Sequence, residues 1–311
     1  MREILPFAFF ILNFAFHMCV LMIFIDGIGI GENDRDKNPF ARFPSPYFST
    51  FINQTSDSIP FDGLVIPTDP SMGMPGLPQS ATGQTALLTG VNASKKLARH
   101  VSGFPSPTLR KILSEESIFL KIEKLNKVGT FANAFTPEYF QRPARSISAT
   151  TWAVKASNFP FRMLKNDLLQ GHAISHDLTN EFLAKLGYEA PIRTPETSAE
   201  ILAEITESVD FCLFEFILTD AVGHDQEMSA AEMVTSRLTT FLDTLLHKID
   251  LSRHLVLLTS DHGNFEDLSV STHTHHPVPT MLWGKRQELI APLIRRIEDV
   301  PQAILFFLQN Q

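Results

Sequence analysis

The chain of 311 residues is long enough for one large α/β domain, or for one core that carries a modest insertion. Hydrophobic residues make up 44% of the sequence and charged residues 19%, the proportions of a globular protein with a real core. The net charge is −8 without a long run of Lys or Arg, which argues against nucleic acid and against a membrane surface as the main partner. The two cysteines, Cys19 and Cys212, lie in apolar runs and predict core positions rather than a disulfide or a metal knuckle.

Residues 1–18 form an apolar leader that has three interpretations. Residues 4–16 have the length of the apolar part of a signal peptide, although the charged start is poor and no A-x-A cleavage site follows. Together with residues 19–25 they are long enough for a marginal membrane span. The third interpretation is an upstream-extended start, with Met18 or Met22 as the natural first residue. A cytoplasmic location is favoured, and secretion or membrane anchoring are the alternatives.

Strand-like and helical patterns alternate along the rest of the chain. Strands are predicted at residues 19–25, 128–135, 210–220, 254–260 and 279–284. Helices are predicted at residues 80–90, in two segments within 107–127, from Pro195 to about Ser208 with Thr194 as N-cap, at 229–249 and at 299–309. The run at 210–220 is continuously apolar, which is typical of a parallel sheet buried on both faces.

This alternation predicts an α/β fold, namely a doubly wound, mostly parallel sheet with helices on both faces. Residues 137–194 fit the alternation least well, and we expect them to form a small inserted lid or substrate region. The α/β core would then consist of residues 19–136 and 195–311.

Reactive side chains occur where the predicted strands end. They are Asp26 after the first strand, Asp220 and His224 after the run at 210–220, Asp261 and His262 after the run at 254–260, and His273, His275 and His276 shortly afterwards. In open parallel sheets, sites form at the carboxyl ends of strands, and carboxylate plus imidazole ligands suit Zn²⁺ or Mn²⁺. Each residue alone is more often a helix cap, a turn residue or part of a solvated loop. Their occurrence at consecutive strand ends therefore predicts a metal site.

Four motifs contain these residues: DGIGIG at 26–31, DAVGH at 220–224, SDHGN at 260–264 and HTHHPVP at 273–279. In this order they resemble the alkaline-phosphatase superfamily, and within it the metalloenzyme branch that holds cofactor-independent phosphoglycerate mutase and phosphopentomutase. The resemblance implies two divalent metal ions, Mn²⁺ or Zn²⁺. It assigns one ion to Asp220, His224 and His273, and the other to Asp26, Asp261, His262 and the nucleophile. His273 is preferred to His275 because the family pattern is His-Thr, two variable residues and Pro-Val-Pro.

The segment SATGQTALLTG offers Ser80, Thr82 and Thr85 as the nucleophile. By resemblance, the family places its Ser or Thr at the amino end of a helix, and Ser80 has the family's spacing to Gly83 and Gly90. Free backbone N–H groups at a helix start also stabilise an anionic phosphoryl group. Ser80 is therefore the predicted nucleophile and metal ligand, with Thr82 as the alternative. A role of Ser80 as a simple N-cap can coexist with catalysis.

The resemblance implies a two-metal phosphoryl-transfer enzyme that acts through a phosphoserine intermediate on a small phosphorylated substrate. A phosphatase or phosphodiesterase is favoured, because the mutases are longer chains with a substantial second domain, for which residues 137–194 are too few. A phosphomutase is the alternative, and an inactive metal-binding protein is a distant one. Sulfatase chemistry is not expected, because SATGQ lacks the Pro and Arg of the sulfatase pattern. A homodimer partner that completes the lid is compatible with the sequence.

Substrate-binding groups are predicted in the insertion. Arg142 and Arg145, in QRPARSIS, would grip an anionic substrate with their guanidinium groups, and a solvated basic loop is the alternative. In GHAISHDLTN, His172, His176 and Asp177 either reach the cleft or cap the next helix.

Overall fold

The computed structural model describes residues 18–52, 54 and 59–310, so the leader predictions for residues 1–17 lie outside the described residues. Within the described ranges, no helix is both long enough and apolar enough to cross a membrane. The strands are β1 (Val20–Ile25), β2 (Leu64–Thr68), β3 (Gly129–Phe131), β4 (Ala134–Phe135), β5 (Arg162–Met163), β6 (Phe211–Phe216), β7 (Leu255–Thr259) and β8 (Val278–Gly284).

Helices fill most of the chain between the strands. The α-helices are α1 (Pro39–Arg42), α2 (Ser80–Thr89), α3 (Ala93–Leu97), α4 (Pro107–Glu116), α5 (Ile118–Lys124), α6 (Ala149–Lys155), α7 (Glu181–Lys185), α8 (Pro195–Thr206), α9 (Leu218–Asp225), α10 (Met228–Lys248), α11 (Gln287–Ile290) and α12 (Val300–Gln309). Short 3₁₀ turns lie at Pro137–Gln141, Ala144–Ser146, Leu168–Gln170, Ala291–Leu293 and Ile297–Asp299. The predicted N-cap of α8 is present, because the Thr194 hydroxyl accepts a hydrogen bond from the Thr197 N–H.

Six strands form the central sheet in the order β2-β8-β7-β1-β6-β3, and β4 pairs with β5 in a separate sheet. β1 lies between β6 and β7 and is parallel to both, and β3 is parallel to β6. β8 is antiparallel to both of its neighbours, β7 and β2. Five strands therefore point in one direction, and the amino end of β8 lies at the edge where those five strands have their carboxyl ends.

Helices cover both faces of this sheet. On one face, Leu21 and Ile23 of β1 belong to a hydrophobic core with residues of α8 and α10. On the other face, Met22 and Phe24 belong to a second core with residues of α2, α5, α6 and α12. All of β1 is buried, as a strand covered on both sides requires. The predicted doubly wound, mostly parallel α/β fold is confirmed.

The strand predicted at 210–220 is too long. β6 ends at Phe216, which pairs with Ile25, the last residue of β1, so no neighbouring strand continues the ladder beyond this point. The chain turns into α9 instead. Asp220 and His224 consequently lie one turn apart on the same face of a helix, and not at the end of a strand.

The strand predicted at 128–135 is interrupted. β3 ends at Phe131, and the Asn133 side chain then substitutes for backbone, donating to the Glu215 carbonyl at 2.7 Å and accepting from the Glu215 N–H at 2.9 Å. Residues 134–135 form β4 and pair with β5. The sequence pattern does not indicate β2, because LVIPT contains Pro67; the position of β2 at the sheet edge makes the missing N–H tolerable.

Residues 137–194 leave the central sheet after β3 and return through α8 to β6. Part of this segment has a small apolar cluster of its own, formed by Leu164, Leu168, Ala173 and Leu183. Its helix α6, in contrast, packs beside α2 in one of the two main cores. The division into a core of residues 19–136 and 195–311 and a lid of residues 137–194 stays a prediction.

Candidate metal centre

The topology brings the predicted ligands to one edge of the sheet. Asp26 directly follows β1, and Asp261 and His262 follow β7, which lies beside β1. Asp220 and His224 lie on α9, which starts just beyond β6 on the other side of β1. His273 reaches the same edge because β8 runs in the reverse direction and therefore begins there. The seven predicted ligands, including Ser80 at the start of α2, thus come from five places in the chain, with two ligands each from α9 and from the loop after β7.

Asp26, Asp261, His262 and Ser80 form what we call the first half-site. Nε2 of His262 lies 3.5 Å from Oδ1 of Asp26 and 3.4 Å from Oδ2 of Asp261. Oγ of Ser80 lies 3.1 Å from the same Nε2. The ligand atoms of Asp26, Asp261 and His262 are close enough to one another to hold a single cation.

Asp220, His224 and His273 form the second half-site. Nε2 of His224 lies 3.5 Å from Oδ2 of Asp220, and Nε2 of His273 lies 3.8 Å from Oδ1 of Asp220. The ring of His273 stacks on that of His262 at 3.6 Å between centroids, so the two half-sites adjoin. Asp220, His262 and His273 lie close enough to one another to surround one ion, and His224 is not part of this close group. His224 is the most exposed member, with 44% of its side chain accessible.

Two histidines of the second half-site are oriented by backbone carbonyls. Nδ1 of His273 lies 2.8 Å from the Pro78 carbonyl oxygen, and Nδ1 of His224 lies 2.9 Å from that of Ser271. A carbonyl only accepts hydrogen bonds, so each Nδ1 carries the proton in this arrangement. Each Nε2 therefore presents its lone pair toward Asp220, as a metal-binding histidine does.

The electrostatics of the centre favour a cation. Burial raises the pKa of Asp26 well above its ordinary value, and the charges of Asp261 and Asp220 raise it further. Burial and the charge of Asp220 likewise raise the pKa of Asp261. Burial lowers the pKa of both His262 and His273, which keeps the imidazoles neutral. A divalent ion stabilises such a group of crowded carboxylates and neutral imidazoles. It compensates the negative charge of the carboxylates and accepts the lone pairs of the imidazoles.

Unpaired oxygen atoms support the same conclusion. Oδ1 of Asp26 and both carboxylate oxygens of Asp261 are buried and have no hydrogen-bond partner among the described residues. Buried polar atoms rarely lack a partner, and each costs free energy when it does. A divalent cation would supply that partner, so the residues present fit a metal centre.

Two glycines, Gly27 and Gly83, make room for the ligands. A Cβ at Gly27 would lie 2.7 Å from Oδ1 of Asp220, and one at Gly83 would lie 2.9 Å from the Asp261 carbonyl oxygen. Gly27 has a φ of +73°, a backbone conformation that residues other than glycine rarely adopt. The glycines therefore let β1 and α2 approach the ligands more closely than any larger residue would.

Ser80 and Thr82 have different surroundings. Ser80 is partly exposed and its hydroxyl faces His262. The Thr82 hydroxyl is buried, donates to the Gln79 carbonyl at 3.1 Å and accepts from the Val101 N–H at 3.2 Å. The geometry therefore favours Ser80, the predicted nucleophile, over its alternative.

The structure does not join the predicted substrate arginines to the cluster. Arg142 lies over the Tyr139 ring, with 5.0 Å from its guanidinium carbon to the ring centroid, and Arg145 is exposed. Among the described residues, neither forms an ion pair with a carboxylate of the centre. In the second predicted group, Asp177 caps the turn before α7, because its carboxylate accepts from the Asn180 and Phe182 N–H groups at 3.0 and 2.7 Å.

Several residues that the sequence does not single out support the centre. Glu266 is buried and accepts the N–H groups of Gly29 and Asn264 at 2.8 Å each, which joins the loops after β1 and β7. Glu215 accepts from the Thr150 hydroxyl at 3.0 Å, and its charge contributes to the raised pKa of Asp26. A single glutamate in an otherwise apolar strand is a signal that would have identified Glu215; the hydrogen bonds of Glu266 leave no such trace in the sequence.

Comparison with known sequences gives partial matches. The model of the Metalloenzyme superfamily matches residues 185–308. The 2,3-bisphosphoglycerate-independent phosphoglycerate mutase of Dinoroseobacter shibae is 29% identical over 131 residues, which are 35% of this chain and 26% of that enzyme. The corresponding mutase of Wolinella succinogenes is 37% identical over 79 residues, 24% of this chain and 16% of that enzyme. The matches thus span about a quarter or less of these relatives.

Comparison with solved structures covers nearly the whole chain. A protein from Pyrococcus horikoshii has a TM-score of 0.57 at 14% identity, covering 95% of this chain and 98% of that one. The alkaline phosphatase of the Antarctic bacterium TAB5 has a TM-score of 0.53 at 13% identity, covering 95% and 99%. These identities show a shared fold and no more. The chain is therefore similar to this metalloenzyme family and to the mutases over part of its length, and it shares the fold of an alkaline phosphatase, in agreement with the resemblance to the alkaline-phosphatase superfamily.

Proposed function

We propose that this protein is a metal-dependent phosphohydrolase, which transfers a phosphoryl group from a small phosphorylated substrate to Ser80 and then to water. The position of Ser80 carries the proposal. Its Oγ lies 3.1 Å from Nε2 of His262, and it is the first residue of α2. A partly exposed hydroxyl at this place is accessible to a substrate and lies beside the residues that would hold the ions.

In the first step, Oγ of Ser80 forms a bond to phosphorus while the bond from phosphorus to the leaving oxygen breaks. Two divalent ions held by the half-sites, Mn²⁺ or Zn²⁺, would lower the pKa of the serine hydroxyl and neutralise charge on the phosphoryl oxygens. No side chain caps the start of α2, and since the Thr82 N–H donates to the Val101 carbonyl at 3.3 Å, the N–H groups of Ser80 and Ala81 are the ones left for the phosphoryl group. In the second step, water attacks phosphorus and the Ser80 oxygen leaves as the hydroxyl.

Hydrolysis is favoured over transfer within one molecule because of the size of the intervening segment. A mutase must keep water away from its phosphoserine while the substrate reorients, which requires a cover that closes over the site. The segment 137–194 contains only short helices and one two-residue strand, and its helix α6 packs in a main core. This leaves little chain to exclude water from Ser80.

A phosphomutase is the second candidate. The similarity to the 2,3-bisphosphoglycerate-independent phosphoglycerate mutases favours it, because the family match over residues 185–308 includes five of the seven predicted ligands. Assay of a labelled phosphomonoester with Mn²⁺ or Zn²⁺ distinguishes the two reactions. We expect release of inorganic phosphate; stoichiometric transfer to a second position of the same molecule, without free phosphate, would establish the mutase instead.

The role of Ser80 has a direct test. Ser80→Ala removes the nucleophile and one ligand among several, so we expect turnover to fall to background while the fold and the binding of metal persist. Mass spectrometry after a quenched turnover of the unaltered enzyme should find phosphate on the peptide that contains Ser80. Phosphate on Thr82, or full turnover by Ser80→Ala, contradicts the assignment.

A further inference from the structure

Each half-site contains an aspartate that receives a hydrogen bond on one carboxylate oxygen from a neighbouring side-chain amide. In the first half-site, Nε2 of Gln84 donates to Oδ2 of Asp26 at 3.3 Å. In the second, Nδ2 of Asn264 donates to Oδ1 of Asp220 at 2.8 Å and to the Asp220 carbonyl at 3.2 Å. Gln84 and Asn264 are 8% and 0% exposed, so both amides act in a dry environment.

In both cases the other carboxylate oxygen faces a histidine of its half-site. Oδ1 of Asp26 is 3.5 Å from Nε2 of His262 and has no hydrogen-bond partner among the described residues. Oδ2 of Asp220 is 3.5 Å from Nε2 of His224, whereas Oδ1, which accepts from Asn264, lies 3.8 Å from Nε2 of His273. The amide thus occupies one oxygen and fixes the carboxylate plane, and the second oxygen remains for a cation.

The neutral amide is the group that this position requires. Three carboxylates already share the centre, so a further carboxylate would add repulsion, and a lysine or arginine would compete with the cation for the aspartate. An amide N–H₂ donates without carrying a charge. It therefore orients an aspartate without reducing the negative charge that attracts the ion.

The packing around Asn264 shows how tightly this contact is built. A Cβ at Gly223 of α9 would lie 2.6 Å from the amide carbon of Asn264. Glycine in a helix interior costs about 1 kcal/mol relative to alanine, and here it leaves space for the amide beside Asp220. Gly223, the glycine of the DAVGH motif, consequently supports the second half-site without contacting an ion.

We infer that Gln84 and Asn264 are positioning residues, each of which holds the aspartate of one half-site as a ligand through a single oxygen. This inference rests on the two-ion centre of the proposed function. It assigns Gln84 to the ion of the first half-site and Asn264 to the ion of the second. Loss of either amide should weaken the binding of one ion and leave the binding of the other unchanged.

The test is titration of the metal-free protein with Mn²⁺ alone. Binding is measured by calorimetry and by the electron paramagnetic resonance of bound Mn²⁺. Gln84→Met and Asn264→Leu keep the side-chain volume and remove the donor. We expect each variant to lower the affinity for one of the two ions by about 10- to 100-fold, which is the effect usual for groups that orient metal ligands. Each variant is then combined with His224→Ala, which removes a ligand of the second half-site. Asn264→Leu should affect the same ion as His224→Ala, and Gln84→Met should affect the other ion.

Second variants make the test independent of one substitution. Gln84→Glu replaces the donor with an acceptor of the same size, and Gly223→Ala pushes on the Asn264 amide while favouring the helix; both should reproduce the loss at their respective half-sites. Gln287→Ala is the matched control, because Gln287 is a buried glutamine, 7% exposed, whose amide donates to the Asp62 carbonyl away from the centre.

The outcomes separate the two proposals. If the unaltered protein binds no Mn²⁺, the two-ion centre itself is wrong. If it binds two ions and the amide variants either bind both as tightly or weaken both equally, the centre stands and the assigned roles of Gln84 and Asn264 are wrong.

Discussion

The carboxyl groups of Asp26, Asp220 and Asp261 repel one another in a nearly dry volume, and this repulsion determines what single substitutions do. Asp261 is fully buried, and its pKa is raised by burial and by the charge of Asp220. A raised pKa in the folded state means that the contribution to stability is complete at low pH and is lost as the pH rises. The metal-free protein is therefore destabilised by the same charges that attract the ions.

Asp261→Asn should separate stability from metal binding. In the metal-free protein at about pH 9, we expect this variant to be more stable than the unaltered chain by roughly 1–3 kcal/mol, because a buried charge is removed. With Mn²⁺ present, the order should reverse, because the variant lacks a ligand. Urea unfolding with a chelator and with Mn²⁺ measures both; a variant that is less stable in both conditions would disprove the role of charge repulsion.

Single residues also show which parts of the centre the sequence can predict. Asp26, Asp220 and Asp261 lie in contiguous motifs next to predicted strands, so their common location follows from strand order. Gln84 and Asn264 act through contacts with residues 58 and 44 positions away, which no local pattern encodes. Their inferred role follows from the distance between each amide and its aspartate, which the sequence does not contain.

At the scale of elements, α2 determines the position of Ser80. Gly83 lies one turn after Ser80, and a Cβ there would lie 2.9 Å from the Asp261 carbonyl oxygen and 3.1 Å from its Cβ. The Asp261 carbonyl is part of the backbone, so it cannot move aside as a flexible side chain would. The close approach of α2 to the loop after β7 therefore depends on this glycine.

Gly83→Ala should shift α2 away from Asp261 and move Ser80 relative to both half-sites. We expect about a 10- to 100-fold loss of kcat, since misplacement of a nucleophile by about 1 Å has effects of that size. Ala86→Gly is the control, because it weakens the same helix without pressing on Asp261. Equal kcat values for the two variants in a steady-state phosphatase assay would show that stability, and not position, is affected.

Strand β6 carries a buried charge of its own. Burial raises the pKa of Glu215 from 4.5 to about 7, so between these values the folded state binds more protons than the unfolded state. The free energy of unfolding should consequently fall as the pH rises through this window, by up to about 3 kcal/mol.

Glu215→Gln should remove the share of this pH dependence that Glu215 contributes and leave the share of Asp26 and Asp261, whose pKa values are raised as well. We expect the variant to match the unaltered metal-free protein near pH 4 and to exceed its stability near pH 8, as measured by urea unfolding across the range. Thr150→Val, which removes the hydrogen bond to Glu215 but keeps the carboxyl group, should retain the pH dependence. A parallel profile for the unaltered chain and Glu215→Gln would show that another group causes the pH dependence.

The elements differ in how well the sequence predicts them. β1 and β7 are buried on both faces, so their apolar runs and their limits agree with prediction. The end of β6 depends on where β1 stops, and β4 depends on pairing with β5, so neither is visible in local sequence. The overlong strand at 210–220 has this cause, because apolarity continues through Leu218 after the ladder has ended.

For the whole molecule, the centre joins distant parts of the chain. Asp26 and Ser80 come from the amino-terminal part, and the other five predicted ligands lie between residues 220 and 273. An ion bound in the folded state and not in the unfolded one stabilises the fold by mass action, by about 2.7 kcal/mol at a free concentration of 100 times Kd.

Removal of metal should therefore lower the stability of the entire domain. We expect a chelator to reduce the free energy of unfolding by about 5 kcal/mol when two independent sites are filled to this degree. Asp220→Ala should lose roughly half of the metal-dependent part. Thermal unfolding monitored at several Mn²⁺ concentrations provides the measurement, and a midpoint that does not depend on Mn²⁺ would exclude a structural contribution of the ions.

The strand β3 lies at one margin of the sheet, farthest from the antiparallel pair β2 and β8 at the other. Since residues 137–194 depart from this margin and rejoin the fold at α8, their length is not constrained by any ladder of the central strands. The length of this segment can therefore differ without changing the register of the central strands, whereas its helix α6 is held to the fold by packing in one of the two main cores.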